Sequence, residues 1–78
     1  MIFNIFYYQV TMNINEINYI FQYPADLDST SAAQAMSEQF CKENAVDVGI
    51  DLKSTSEDDL IKICIVPLTA GLLKEMNA

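Results

Sequence analysis

Between Ser29 and Glu43 the apolar positions recur at helical spacing, and on both sides of this stretch they alternate as in strands. Ala32, Ala33, Met36 and Phe40, with Cys41 at the edge, fall on one side of a 3.6-residue period. Gln34, Ser37, Glu38 and Lys42 fall on the other. The spacing predicts an amphipathic helix over residues 29–43. Ser29, Thr30 and Ser31 are N-cap candidates, and Ser31 with Gln34 fits a capping box. Asp26 and Asp28 stand where the helix dipole favours carboxylates. Asn44 suits a left-handed stop.

Residues 2–12 read as a first strand. Ile2, Phe6, Tyr8, Val10 and Met12 share one face with Asn4, and Phe3, Ile5 and Tyr7 lie on the other, with Gln9 and Thr11 beyond. Asn13 to Glu16 is a polar break that suits a hairpin turn. In the second strand Ile17, Tyr19, Phe21 and Tyr23 alternate with Asn18, Ile20 and Gln22, and Pro24 ends the run. After the helix, Val46, Val48, Ile50 and Leu52 alternate with Asp47, Gly49, Asp51 and Lys53, which predicts a third, half-buried strand. Residues 54–59 form a polar acidic loop. Residues 60–66 read as a fourth strand, with Ile61, Ile63 and Ile65 on one face and Leu60, Lys62, Cys64 and Val66 on the other. Ser56 and Asp59 also fit a helix start, but the β-branched run favours a strand. Pro67 stops that strand. Thr69 then caps a short helix to Met76 that docks Leu72, Leu73 and Met76.

The order ββαββα predicts one α+β domain over residues 1–78. Its expected form is a single layer of four mostly antiparallel strands, with the main helix across one sheet face and a short C-terminal helix. Such a layer leaves its second face, or an edge strand, for another molecule. All four tyrosines lie in the first 23 residues. Tyr7, Tyr19 and Tyr23 are therefore candidates for a partner-binding or self-associating surface, with cross-strand packing as the plainer role.

Composition removes most chemistry. The chain has no histidine and no arginine, only two glycines, and a formal charge of −7 from eleven acids and four lysines. Without histidine no Ser–His or Cys–His pair can activate a nucleophile. Two separated glycines make no phosphate-cradling loop. The missing basic footprint argues against direct nucleic-acid binding. Cys41 and Cys64 are too far apart in sequence for a zinc pattern and read as reduced, buried, small apolar residues; a single bridge between helix and strand is the alternative. The apolar N-terminus lacks the basic region and cleavage site of a signal peptide, and it is shorter than a membrane span. These features predict a soluble cytoplasmic protein that meets no membrane and needs no metal or cofactor.

Two resemblances follow from particular residues. Asp26-Leu27-Asp28-Ser29-Thr30 after an apolar strand resembles the Asp-x-Asp-x-Thr motif of haloacid-dehalogenase-type phosphatases. That resemblance implies Asp26 as nucleophile and both acids on magnesium. The chain is too short for that family's doubly wound domain, and Pro24 interrupts the approach, so these acids read as helix-entry residues. Glu57, Asp58 and Asp59 are hard oxygen donors, but their spacing is not that of a calcium loop. Joined with Asp47 and Asp51, they predict one negative surface fit for a basic groove that otherwise holds nucleic acid. In size and charge the chain is similar to phage-encoded inhibitors of bacterial defence, including anti-CRISPR proteins. The expected function is therefore that of a small acidic non-enzymatic inhibitor binding a basic protein partner through Asp47, Asp51, Glu57, Asp58, Asp59 and the tyrosines. The alternative is a homodimeric structural or regulatory module associating through a Tyr-rich sheet face.

Overall fold

The computed structural model describes residues 7–77, so residues 2–6 of the expected first strand lie outside the described residues. Two strands, β1 (Tyr7–Ile14) and β2 (Ile17–Pro24), form an antiparallel hairpin in which Ile14 faces Ile17 and Tyr8 faces Tyr23. The two-residue turn takes positive φ at Asn15 (50°) and Glu16 (68°). That pairing matches the twist of a tight hairpin, and Asn tolerates the left-handed region better than Glu does. The alternation read from the sequence holds here. Val10, Met12, Tyr19, Phe21 and Tyr23 face the core, and Gln9, Thr11, Asn18, Ile20 and Gln22 face out.

Helix α1 spans Ser29–Glu43, as the periodicity predicts. Its cap is Asp28 rather than one of the three hydroxyl residues after it. The Asp28 carboxylate accepts from the Ser31 backbone N–H and the Ser31 hydroxyl, both at 2.8 Å. Asn44 ends the helix at φ −115°, not in the left-handed region. The buried face is wider than the sequence suggested, because Ser37 is fully buried with Ala32, Ala33, Met36, Phe40 and Cys41. Two rows divide the work. Phe40 packs edge-on against Tyr19 and tilted against Phe21, with ring centroids 4.8 and 5.6 Å apart. The small row of Ala33, Ser37 and Cys41 allows close approach to the C-terminal helix.

The four-stranded sheet is overturned: among the described residues the sheet has two strands. Where a third strand was expected, Val46–Val48 is a single 3-10 turn. Gly49 follows at φ +76°, with hydrogen bonds from Ile50 N–H to the Ala45 carbonyl (2.9 Å) and from Gly49 N–H to the Val46 carbonyl (3.1 Å). This pair of bonds is the Schellman arrangement, and glycine supplies its left-handed residue without a Cβ clash. Alternation fails as a guide because Val46 is left 88% exposed.

The expected fourth strand is helical. Glu57–Leu60 (α2), a π-helical stretch at Ile61–Ile65 and Val66–Met76 (α3) run on without a break. The Ser56 hydroxyl accepts from Asp59 N–H at 3.2 Å, so the cap set aside in favour of a strand is the signal that holds. Leu60, Cys64, Ile65, Leu68 and Leu72 are buried on one side. The β-branched Ile61, Ile63 and Val66 lie on the exposed side, where helix propensity costs them only tenths of a kcal/mol, on the order of 0.5 each. Pro67 does not end the element. A proline inside a helix removes a donor and presses on the carbonyl four residues back, and the π stretch just before it inserts the residue that relieves the clash. Thr69 is not a cap; its hydroxyl donates to the Ile65 carbonyl at 2.7 Å. Gly71 lets α3 approach the hairpin, since a Cβ there would sit 2.9 Å from the Met12 methyl carbon.

The outcome is still α+β, but as two layers: a hairpin laid on α1 and the C-terminal helical run. Cys41 and Cys64 are not reduced. They form a disulfide with a Cα–Cα distance of 6.1 Å, joining α1 to the π stretch. A helical rather than extended Cys64 segment is what brings its side chain to face α1.

Candidate functional site

Among the described residues no group of three or more His, Cys, Asp or Glu side chains could hold a metal ion. Of the two phosphatase-like acids, Asp28 has structural work as the cap of α1. Asp28 uses both carboxylate oxygens on Ser31, and these hydrogen bonds hold its carboxyl below the usual carboxylate range. Asp26 is exposed ahead of the helix.

The acids expected to bind a partner are all exposed, but they do not share a strand face. Asp47 lies in the 3-10 turn and is tied to the tip of the hairpin. Its carboxylate accepts from Asn44 Nδ2 at 3.2 Å and from the Tyr19 hydroxyl at 3.5 Å, and its carbonyl accepts from Asn15 Nδ2 at 3.3 Å. Desolvation, with the Asp47 charge and hydrogen bond behind it, pushes the Tyr19 hydroxyl above its ordinary pKa. Asp51 closes a local turn by accepting from Lys53 N–H at 3.0 Å. Glu57, Asp58 and Asp59 form the first turn of the C-terminal helical run, where the free amides and the dipole stabilise carboxylates. Their negative charge is thus fixed to a rigid helix end rather than to a hairpin tip.

The tyrosines separate. Tyr23 is buried and Tyr19 half-buried, both on the face that α1 covers, while Tyr7 is 54% exposed at the start of β1. Tyr19 and Tyr23 therefore act as core residues, on a part of the sheet face that is covered within the chain.

Sequence reading missed an open hollow of about 510 Å³ beside Asp51. Ala45, Val46, Ile50 and Leu52 give it an apolar lining, and Lys42, Glu43, Asp51 and Lys53 supply the charged groups around it. It exists because the 3-10 turn folds the segment back on the end of α1. Only the glycine at position 49 hinted at such a reversal.

Compared with known proteins, the chain matches no family model, no curated protein and no solved structure. No helix among the described residues is long and apolar enough to cross a membrane.

Proposed function

We propose that this chain is a non-catalytic acidic protein that docks on the basic surface of a protein partner and occupies ground that nucleic acid would otherwise take. The observation that carries the reading is the placement of charge: all eleven carboxylate side chains are exposed, against four lysines. A net charge of −7 on 78 residues repels nucleic acid and steers the chain toward a basic patch. Asp51 lines the apolar hollow, Asp47 lies in the 3-10 turn of the same segment, and Glu57, Asp58 and Asp59 stand on a helix end a few residues later. An inhibitor of bacterial defence, of the anti-CRISPR kind, is the concrete form of the proposal.

The test is capture from host lysate on immobilised protein, followed by elution with salt and, separately, with duplex DNA. The comparison is the variant combining Asp47→Asn, Asp51→Asn, Glu57→Gln, Asp58→Asn and Asp59→Asn, which preserves size and hydrogen-bonding groups. A partner released by both eluents and not retained by the variant is expected. Capture that persists on the neutralised variant, or that DNA fails to displace, refutes the reading.

The same proposal places the protein in the cytoplasm. The Cys41–Cys64 bridge counts against this placement, because disulfides persist in oxidising compartments and are rare where glutathione keeps thiols reduced. Alkylation and mass spectrometry of the protein from its host decide the point. Two alkylated thiols would support the cytoplasm, and an intact bridge would favour an oxidising compartment instead.

A further inference from the structure

We propose that two copies of this chain pair through the free edge of β1, antiparallel about Val10, to make a continuous four-stranded sheet. This stands apart from the acidic-surface reading and uses the opposite property of the chain, its uncharged part.

The two-residue turn makes Ile14 and Ile17 a mutually hydrogen-bonded pair, and with them Met12–Tyr19, Val10–Phe21 and Tyr8–Tyr23. The backbone groups of Tyr7, Gln9, Thr11 and Asn13 then point away from β2, along the outer edge. All four residues are exposed. An open strand edge is a template for another strand unless lysine, proline, a bulge or a cover blunts it. β1 carries none of those residue types. β2 is blunted at its end, where Pro24 has no N–H and its carbonyl already accepts from Leu27 N–H at 3.2 Å, which leaves Asn18, Ile20 and Gln22 exposed along a shorter outer edge. Among the described residues, the edge open along its full length is that of β1.

Charge selects the occupant. Each copy carries −7, so most surfaces repel a second copy. The hairpin from Tyr7 to Pro24 has one charged residue, Glu16, and it sits in the turn. A second copy can approach there without setting acid against acid. Pairing about Val10 is self-complementary, as a two-fold interface requires. Gln9 meets Thr11 of the second copy, Tyr7 meets its Asn13, and each pair exchanges two backbone hydrogen bonds. On the core face Val10 meets Val10, and Tyr8 meets Met12 of the second copy. This also gives Tyr8 a role. It points to the core face, stacks edge-on with Tyr23 at 5.5 Å, and is still 56% exposed in the single chain.

The test is sedimentation velocity of the full chain from low micromolar to submillimolar concentration, beside two double variants checked for native circular dichroism. Gln9→Glu with Thr11→Glu sets acid against acid across the proposed seam, and the dimer should weaken about tenfold or more. Gln9→Glu with Thr11→Lys sets acid against base, and the dimer should persist at wild-type strength or better. A wild-type chain that stays monomeric throughout overturns the proposal. So does a doubly acidic variant that dimerises as tightly as wild type, or an acid–base variant as weak as the doubly acidic one.

Discussion

Ser37 sits in the row of α1 that packs toward the C-terminal helix, and its hydroxyl is buried there without a hydrogen-bond partner. Burying an unpaired hydroxyl costs about 1–3 kcal/mol, and alanine is also the better helix former. Ser37→Ala should therefore stabilise the protein by roughly 1 kcal/mol, read from the midpoint of urea denaturation. A drop of that size would mean the hydroxyl has a partner. Asp28 is the opposite case, a polar side chain fully used. Asp28→Ala should lower the melting temperature at neutral pH, while Asp28→Asn, also a good cap, should lower it less. The folded pKa of Asp28 is depressed, so its contribution is present above the unfolded value and is lost as pH falls through the folded one. Thermal melts between neutral pH and pH near 3 should show this acid-sensitive part, and Asp28→Asn should lack it. At this scale the sequence located the helix start to within a residue or two but misassigned the cap, because four consecutive residues from Asp28 to Ser31 can all cap a helix.

The C-terminal run shows how an element can defeat its own local signals. Ile61, Ile63 and Val66 favour strands, and Pro67 normally ends what precedes it. Against them stand a good cap at Ser56 and a buried row of Leu60, Cys64, Leu68 and Leu72 at four-residue spacing. The row wins because burying several large side chains at about 1.5–3 kcal/mol each outweighs propensities of tenths. The disulfide then fixes this helix to α1 across 23 residues of sequence. Closing a loop of that length restricts the unfolded chain by roughly 3 kcal/mol in the chain-entropy account. Reduction, or Cys41→Ser with Cys64→Ser, should lower stability by about that amount, measured by denaturation with and without reductant. Equal midpoints in both conditions would show that the helices hold each other without the bridge. The expectation of two reduced thiols failed for the same reason as the fourth strand: Cys64 was placed on the wrong kind of element.

Across the whole molecule, charge is unevenly distributed along the chain. The hairpin is nearly neutral, while ten of the eleven acids follow Pro24. Self-repulsion among exposed acids opposes the compact state, and salt screens it within a Debye length of about 10 Å at 0.1 M. Raising sodium chloride from low to moderate concentration should therefore raise the melting temperature, and the variant with five neutralised acids should gain less from salt. A melting temperature that does not respond to salt would place the acids too far apart to matter to folding. The negative surface was legible from composition, but its geometry was not. Asp47 and Asp51 were expected side by side on a strand, and each is instead held in a separate turn by Asn44 and Tyr19 or by the Lys53 amide.

By itself the sequence determined the features that depend on neighbours in the chain: the hairpin and its alternation, the extent of α1, the charge, and the absence of histidine-based chemistry. Only the tertiary structure decided whether residues 46–52 and 60–66 would extend. A strand needs a partner strand for its backbone groups, whereas a turn and a helix satisfy their own. With α1 offering a row of small residues to pack against, the segment around Cys64 buried more apolar surface as a helix than it could as an unpaired edge.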